Sequence, residues 1–241
     1  MEKFLNRHKN KLCFVLGSGP SLRHVDVEIL KKNLVIVVNS AILKAPFAQY
    51  LFGYDFGMTL LTSWLTLKDL KCELILNRTV GQWSGYDHAT GLVAMKDIEK
   101  ERITYFEVEG KTECKLEQNP KKLLILPSSV HGAVHLAYIM GCSPIVLLGC
   151  DCQYEDSKRY FTEFKGQPVN GFIRPEFKKL RPEVTTRVSS GDGYLGAIIN
   201  MWSKIRNNNK EINIINASGG ILGAFPRKSV KEIIKAYDAK V

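Results

Sequence analysis

No apolar run in this sequence approaches the ~20 residues needed to cross a bilayer, so no membrane span is expected. Residues 1–11 are basic and polar and lead into an apolar run of only a few residues. With neither a long apolar region nor a small-residue cleavage site, they are not read as a signal peptide. Cysteine is sparse: six residues, at 13, 72, 114, 142, 150 and 152, with no CxxC pair and no second pair or histidine at finger spacing from Cys150 and Cys152. This argues against structural zinc. Cys13, Cys142 and Cys150 sit in or beside apolar runs, where a thiol behaves as a small hydrophobe, and the pattern suits a reducing cytoplasm, the expected location. Histidine stops at His135. His131 and His135 stand one helical turn apart without the intervening glutamate of a zinc-protease helix, and are read as packing residues. Helix-turn-helix and aromatic RNA-binding signatures are absent, as are internal repeats, so nucleic acid is not an expected partner.

What the chain does have is charge and strand-like apolar runs. It carries 241 residues, 45% hydrophobic and 24% charged, with a net charge of +10. That is ordinary globular composition and enough chain for one sizeable α/β domain. The cations are denser at 7–11 and 174–187. A basic surface attracts nucleic acid, anionic lipid or polyphosphate; a solvated lysine-rich surface is the commoner meaning.

The stretch from Cys13 to Leu22 organises the rest. Cys13–Leu16 reads as a short buried strand. Gly17 and Gly19 then allow a tight turn and close backbone approach, Pro20 suits a first helical turn, Ser21 adds a hydroxyl, and a helical segment is expected through Leu30. Strand, glycine turn and helix start together present N–H groups to a phosphate, although a β–α turn without ligand has the same pattern. Further strands are expected at 34–38, 50–54 and 72–76, ending on Asn39-Ser40, Asp55 and Asn77-Arg78, with a helix at 58–70. In an open parallel sheet ligands bind outside the carboxyl ends of strands, which would gather Asn39, Asp55 and Asn77 at one edge; helix capping is the competing use of such residues. Residues 79–119 read as an irregular insertion containing His88, plus an edge strand at 103–108.

A β–α–β unit follows: a strand at 122–126, Ser128 and Ser129 opening a helix at 130–140 that Gly141 stops, and a strand at 145–148 ending Gly149-Cys150-Asp151. Such a crossover implies parallel strands. Residues 153–187, rich in aromatics and arginines, are read as a lid over the sheet edge, with a contact between copies of the chain or a mobile loop as alternatives. A helix at 194–206, a strand at 212–215 and a serine-capped helix at 229–237 complete the chain. One domain, 1–241, is expected.

The order Gly17-Ser18-Gly19-Pro20-Ser21-Leu22, Val38-Asn39-Ser40, Ser128-Ser129, Gly149-Cys150-Asp151, Ile215-Asn216-Ala217-Ser218 and Phe225-Pro226-Arg227-Lys228-Ser229-Val230 resembles a Rossmann-like superfamily with two branches. One holds bacterial sialyltransferases that use CMP-sialic acid. The other holds motility-accessory-factor-like proteins, including hydroxymethylpterin diphosphokinases. The resemblance implies a mostly parallel sheet flanked by helices and a nucleotide held by Gly17, Ser18, Gly19, Pro20, Ser21, Asn39, Asp55, Ser128, Ser129 and Gly149. Asp151 and Tyr154 are the catalytic candidates, with Tyr160 a further tyrosine near the donor phosphate. The sialyltransferase branch places a catalytic histidine in the lid, where this sequence has none, and carries a membrane-associating C-terminal extension that is missing here. The diphosphokinase branch implies ATP and Mg²⁺, for which Asp55, Asp151 and Asp192 are the candidate carboxylates. The expected function is a nucleotide- or nucleotide-sugar-dependent transferase, first a glycosyltransferase with a small-molecule donor and an acceptor. The alternatives are a Mg²⁺-dependent diphosphokinase and a non-catalytic nucleotide-binding accessory protein.

Overall fold

The computed structural model describes residues 2–54, 71–77, 100–109, 113–118, 122–124, 128–156, 158, 160–161 and 191–239. They form an α/β Rossmann-like fold: an eight-stranded, wholly parallel sheet. The strands are β1 (Cys13–Leu16), β2 (Leu34–Val38), β3 (Tyr50–Gly53), β4 (Glu73–Asn77), β5 (Ile103–Glu109), β6 (Lys122–Leu124), β7 (Ile145–Leu148) and β8 (Ile214–Asn216). Among the described residues three helices flank them: α1 (Ser129–Ile139), α2 (Gly191–Asn208) and α3 (Val230–Asp238).

The central strands are continuous apolar runs because both faces of the sheet are covered, the usual condition of parallel strands. Alternate residues of β1 go to opposite cores. Cys13 and Val15 join Ile36, Val38, Val134, Trp202 and Ile205 on the side of α1 and α2. Phe14 and Leu16 join Val35, Val37, Leu30, Ile42 and Ile233 on the side of α3. On the first face Phe52 and Phe106 stack at 5.0 Å, reaching over β4 from its two neighbours.

The chain steps outward one strand at a time from β1 to β6. It then returns across the sheet through α1, which packs on β1 and β2 as well as β6, and inserts β7 on the free side of β1, with β8 beyond. So β6 and β7, joined by the expected crossover, are parallel but not neighbours. The strand expected at the edge, β5, has β4 on one side and β6 on the other; only the strand beyond it reaches the edge. The helix expected through Leu30 is instead two 3-10 turns, Pro20–His24 and Val27–Leu30. Asp26 causes the break, because its side chain accepts from Glu28 N and starts a fresh turn. The last strand sits later than its apolar run suggests, since Ile212 N is already spent on Asn209 O.

Helix ends are satisfied as the residues dictate. Gly141, at φ +75°, terminates α1. The N-terminal segment closes over that end, with Asn6, His8 and Asn10 N–H groups donating to the carbonyls of Ile139, Met140 and Gly141 at 2.9, 2.9 and 2.8 Å. Ser229 and Glu232 form a capping box at α3. Among the described residues no helix is long and apolar enough to cross a membrane.

Candidate functional site

Because every strand is parallel, all the strand ends that carry the candidate residues lie on one edge. The direction of strand addition reverses between β1 and β7, the switch point at which open sheets of this kind hold their ligands. There the loops after β1 and β7 meet. A Cβ on Gly17 would stand 2.6 Å from Gly149 O, and one on Gly149, at φ +61°, would stand 2.5 Å from Gly17 O. Glycine is needed here because two backbones touch. Gly17 N donates to Leu148 O at 2.7 Å and Gly19 N to Gly149 O at 2.8 Å. These two N–H groups, which the sequence pattern offered to a phosphate, are therefore taken up by β7 and its loop.

Asp151 completes the junction. Its Oδ2 accepts from Ser21 N at 2.7 Å and its Oδ1 accepts from Ser21 Oγ. The carboxylate thus occupies the start of the Pro20–His24 turn, where an anion would be favoured. Asp151 is 3% exposed. Burial pushes its carboxyl up, and the two bonds from Ser21 oppose that shift. A third strand contributes as well: Gly219 N donates to Ser21 Oγ at 3.1 Å and Ile221 N to Asp151 O at 3.0 Å. Gly220, at φ +68°, leaves no room for a Cβ against the Asp151 backbone. Ser218 Oγ accepts from Cys150 N at 2.9 Å, and Asn216 Oδ1 orients the Ser218 N–H at 2.9 Å. The Asp151 carboxylate and backbone carbonyl, with the Ser21 hydroxyl, tie together the loops after β1, β7 and β8.

Beside this junction, toward β2, the surface opens. Ser18, Gly19, Asn39 and Ser40 are half-buried. Ser18 Oγ donates to Val38 O at 3.1 Å and receives a bond from Ser40 Oγ at 3.0 Å. Asn39 starts a 3-10 turn at φ +51°, a left-handed conformation that asparagine tolerates better than most residues. In the loop after β7, Tyr154 and Tyr160 are half-buried. Arg23 Nη1 donates to Glu155 Oε2 at 2.8 Å, tying that loop to the first turn. Phe161 is 1% exposed and its N–H donates to Ser18 O at 3.0 Å, fastening the same segment over the glycine turn.

The structure therefore brings together Gly17, Ser18, Gly19, Pro20, Ser21, Asn39, Gly149 and Asp151, with Tyr154 three residues further along. Ser128 and Ser129 follow β6 and open α1, which packs on β1 and β2 as well as β6. Ser128 Oγ accepts from Val130 N at 3.4 Å as the N-cap of α1. Among the described residues no hydrogen bond joins this pair to the glycine turn or to Asp151. Asp55, His88, the helix at 58–70 and most of the proposed lid (157, 159 and 162–187) lie outside the described residues, as does the side chain of Asp192. Among the described residues no group of three or more His, Cys, Asp or Glu is placed to hold a metal.

Sequence reasoning passed over Ser40, Arg23, Glu155, Phe161 and the Ser218-Gly219-Gly220 run as site members. The paired glycines after a strand were the one available signal, since they recur after β1 and β8. The two helix histidines are packing residues with different fates. His135 Nδ1 accepts from Leu124 N at 2.8 Å, and its Nε2 lies 2.6 Å from Glu117 O. His131 is fully buried, 4.2 Å from the Trp202 ring, and among the described residues neither nitrogen has a hydrogen-bond partner. Burial drives its imidazole down to about 3, against a weaker upward pull from the Ser128 backbone. No family model matches the chain, and searches of curated proteins and of solved structures return no match.

Proposed function

We propose that the chain is a nucleotide- or nucleotide-sugar-dependent transferase, with its donor lying across the carboxyl edge beside the β1/β7 junction, over β1 and β2. The observation that carries this reading is the junction itself, where the loops after β1, β7 and β8 converge at the point of strand-order reversal around the buried Asp151. With Gly17 N and Gly19 N already engaged, the donor phosphate falls to the Ser18 backbone and to the hydroxyls of Ser18 and Ser40, which turn from Val38 O and Ser18 Oγ to donate to it. Asn39 and Asp55 hold ribose or base, and Ser128 and Ser129 hold the second anionic group. Asp151 fixes the turn that grips the phosphate, and Tyr154 enters from the loop it anchors; these two remain the catalytic candidates. Transfer of a sugar is the first reading and Mg²⁺-dependent pyrophosphoryl transfer the second.

The test is thermal unfolding of the whole chain with CMP, UDP, GDP, ADP and ATP, each with and without Mg²⁺. A nucleotide at a hundredfold excess over its dissociation constant should raise stability by about 2.7 kcal/mol, and Ser18→Ala should remove most of that rise. Donor hydrolysis without Mg²⁺ supports glycosyl transfer, whereas Mg²⁺-dependent transfer from ATP supports the diphosphokinase. Binding without turnover supports the accessory role, and no shift with any nucleotide overturns the proposal.

A further inference from the structure

The opposite edge of the sheet holds a second polar feature that the transferase reading does not use. Parallel strands place all their entrances together, and in this chain the entrances are preceded by cations: Lys9 and Lys11 before β1, Lys31 and Lys32 before β2, Lys71 before β4 and Arg102 before β5. Between the entrances of β4 and β5 and the N-terminal turn lies an open depression of about 460 Å³, lined by Lys3, Arg7, Lys71, Glu73, Glu101 and Arg102. Its volume falls in the range of small-ligand sites, roughly 300–1,000 Å³.

The charge at this depression is not balanced from within. Glu73 is shared by Lys3 and by Arg7, whose Nη1 lies 2.9 Å from Glu73 Oε2. Two cations on one carboxylate leave one positive charge over. Arg102 directs Nε and Nη2 at Cys72 O, at 3.3 and 3.1 Å, a neutral acceptor that fixes the guanidinium and leaves its charge unspent. Lys71 is exposed, and among the described residues no carboxylate pairs with it. Among the described lining residues, Glu101 is the one further carboxylate that stands against these. Just behind the rim, burial and then Arg7 lower the basicity of His8, with Glu73 opposing and Lys11 adding a smaller push.

We propose that this amino-edge depression binds a phosphate-bearing anion, free or displayed as a lipid headgroup, at a site separate from the donor site. Two guanidinium groups already held by protein acceptors give an oriented rim, and Lys71 adds a mobile point charge. The lysines at the neighbouring entrances extend the attraction within about a Debye length, ~8 Å at physiological salt.

The experiment uses the full chain and two probes: inorganic tripolyphosphate, followed calorimetrically, and phosphatidylcholine vesicles with and without phosphatidic acid, followed by co-sedimentation. Lys71→Glu is compared with Lys231→Glu, which makes the same change in net charge at an exposed position in the first turn of α3. Saturable binding that Lys71→Glu weakens by about tenfold or more, and that Lys231→Glu leaves nearly unchanged, supports the site. Tripolyphosphate binding alone identifies a free anion, and retention only on acidic vesicles identifies a headgroup. Failure of both probes at low salt overturns the proposal. So does equal weakening by both variants, which reports net charge only, or binding indifferent to Lys71→Glu, which places the anion elsewhere. None of these outcomes depends on a nucleotide binding at the other edge.

Discussion

The two edges of the sheet solve opposite problems. At the carboxyl edge the chain works at close range: Gly17 and Gly149 bring two backbones together, and a buried Asp151 accepts both hydrogen bonds that Ser21 offers. At the amino edge it works with long side chains, with Lys3, Arg7, Lys71 and Arg102 around a shallow depression. Close backbone contact tolerates almost no substitution, because a tightly packed junction has no slack. Exposed cations tolerate most substitutions, because water and salt screen them. The comparison predicts that the carboxyl edge governs stability as well as any chemistry, while the amino edge governs only what is attracted to the surface.

The strongest way to break that contrast is Gly149→Ala, which puts a Cβ 2.5 Å from a carbonyl oxygen at a left-handed φ. Strain and clash together should cost about 2–5 kcal/mol in urea unfolding; a near-neutral result would mean that the junction relaxes freely. Asp151→Ala should cost about 2–3 kcal/mol by the same measurement, because it removes the acceptor of Ser21 N–H and leaves the cradle around it unfilled.

His131 sharpens the comparison through pH. Its folded-state value of about 3 lies below the ordinary value of 6.5, so the unfolded chain takes up a proton first. Stability is unaffected above that ordinary value and should fall as pH drops toward the folded value, by at most about 1.4 kcal/mol per pH unit from this one group. His131→Leu should flatten this slope in unfolding measured from pH 7 to pH 4. A slope unchanged by the substitution would show that other groups set the acid sensitivity.

Smaller effects complete the ranking. Ser229→Ala removes the N-cap of α3 and should cost about 1 kcal/mol, read as a fall in unfolding midpoint. Lys71→Ala should change stability by less than about 0.5 kcal/mol; a large loss would make the amino edge structural and erase the distinction.

Much of the scaffold was legible from the amino acids. Cys13–Leu16, Leu34–Val38 and Ile145–Leu148 were located to the residue, because strands buried on both faces must be apolar throughout and must end where a polar or glycine residue appears. The helix signals were similarly local: Gly141 stopping α1 and Ser229 capping α3. The misplacements share one cause, a partner remote in sequence. β5 is internal because β6 pairs with it, and the 20–30 segment breaks into two turns that pack Leu22, Val27 and Leu30 onto the same core. The candidate site was legible as a set of residue types after strands. Its internal logic was not, because the main partner of Gly17 is Gly149 and that of Ser21 is Asp151, 130 residues further on.

The order of residues along the chain determined which side chains would stand at which edge. In a parallel sheet whatever precedes a strand lies at one end and whatever follows it lies at the other, so parallel strands put Lys71 and Asp151 at opposite edges. Only the folded chain decided that β7 inserts beside β1, that the glycines meet a neighbouring backbone, and that Asp151 closes on Ser21. The physical reason is that local steric and burial preferences fix a strand, whereas pairing order and close contact are settled by competition among distant segments for the same buried surface.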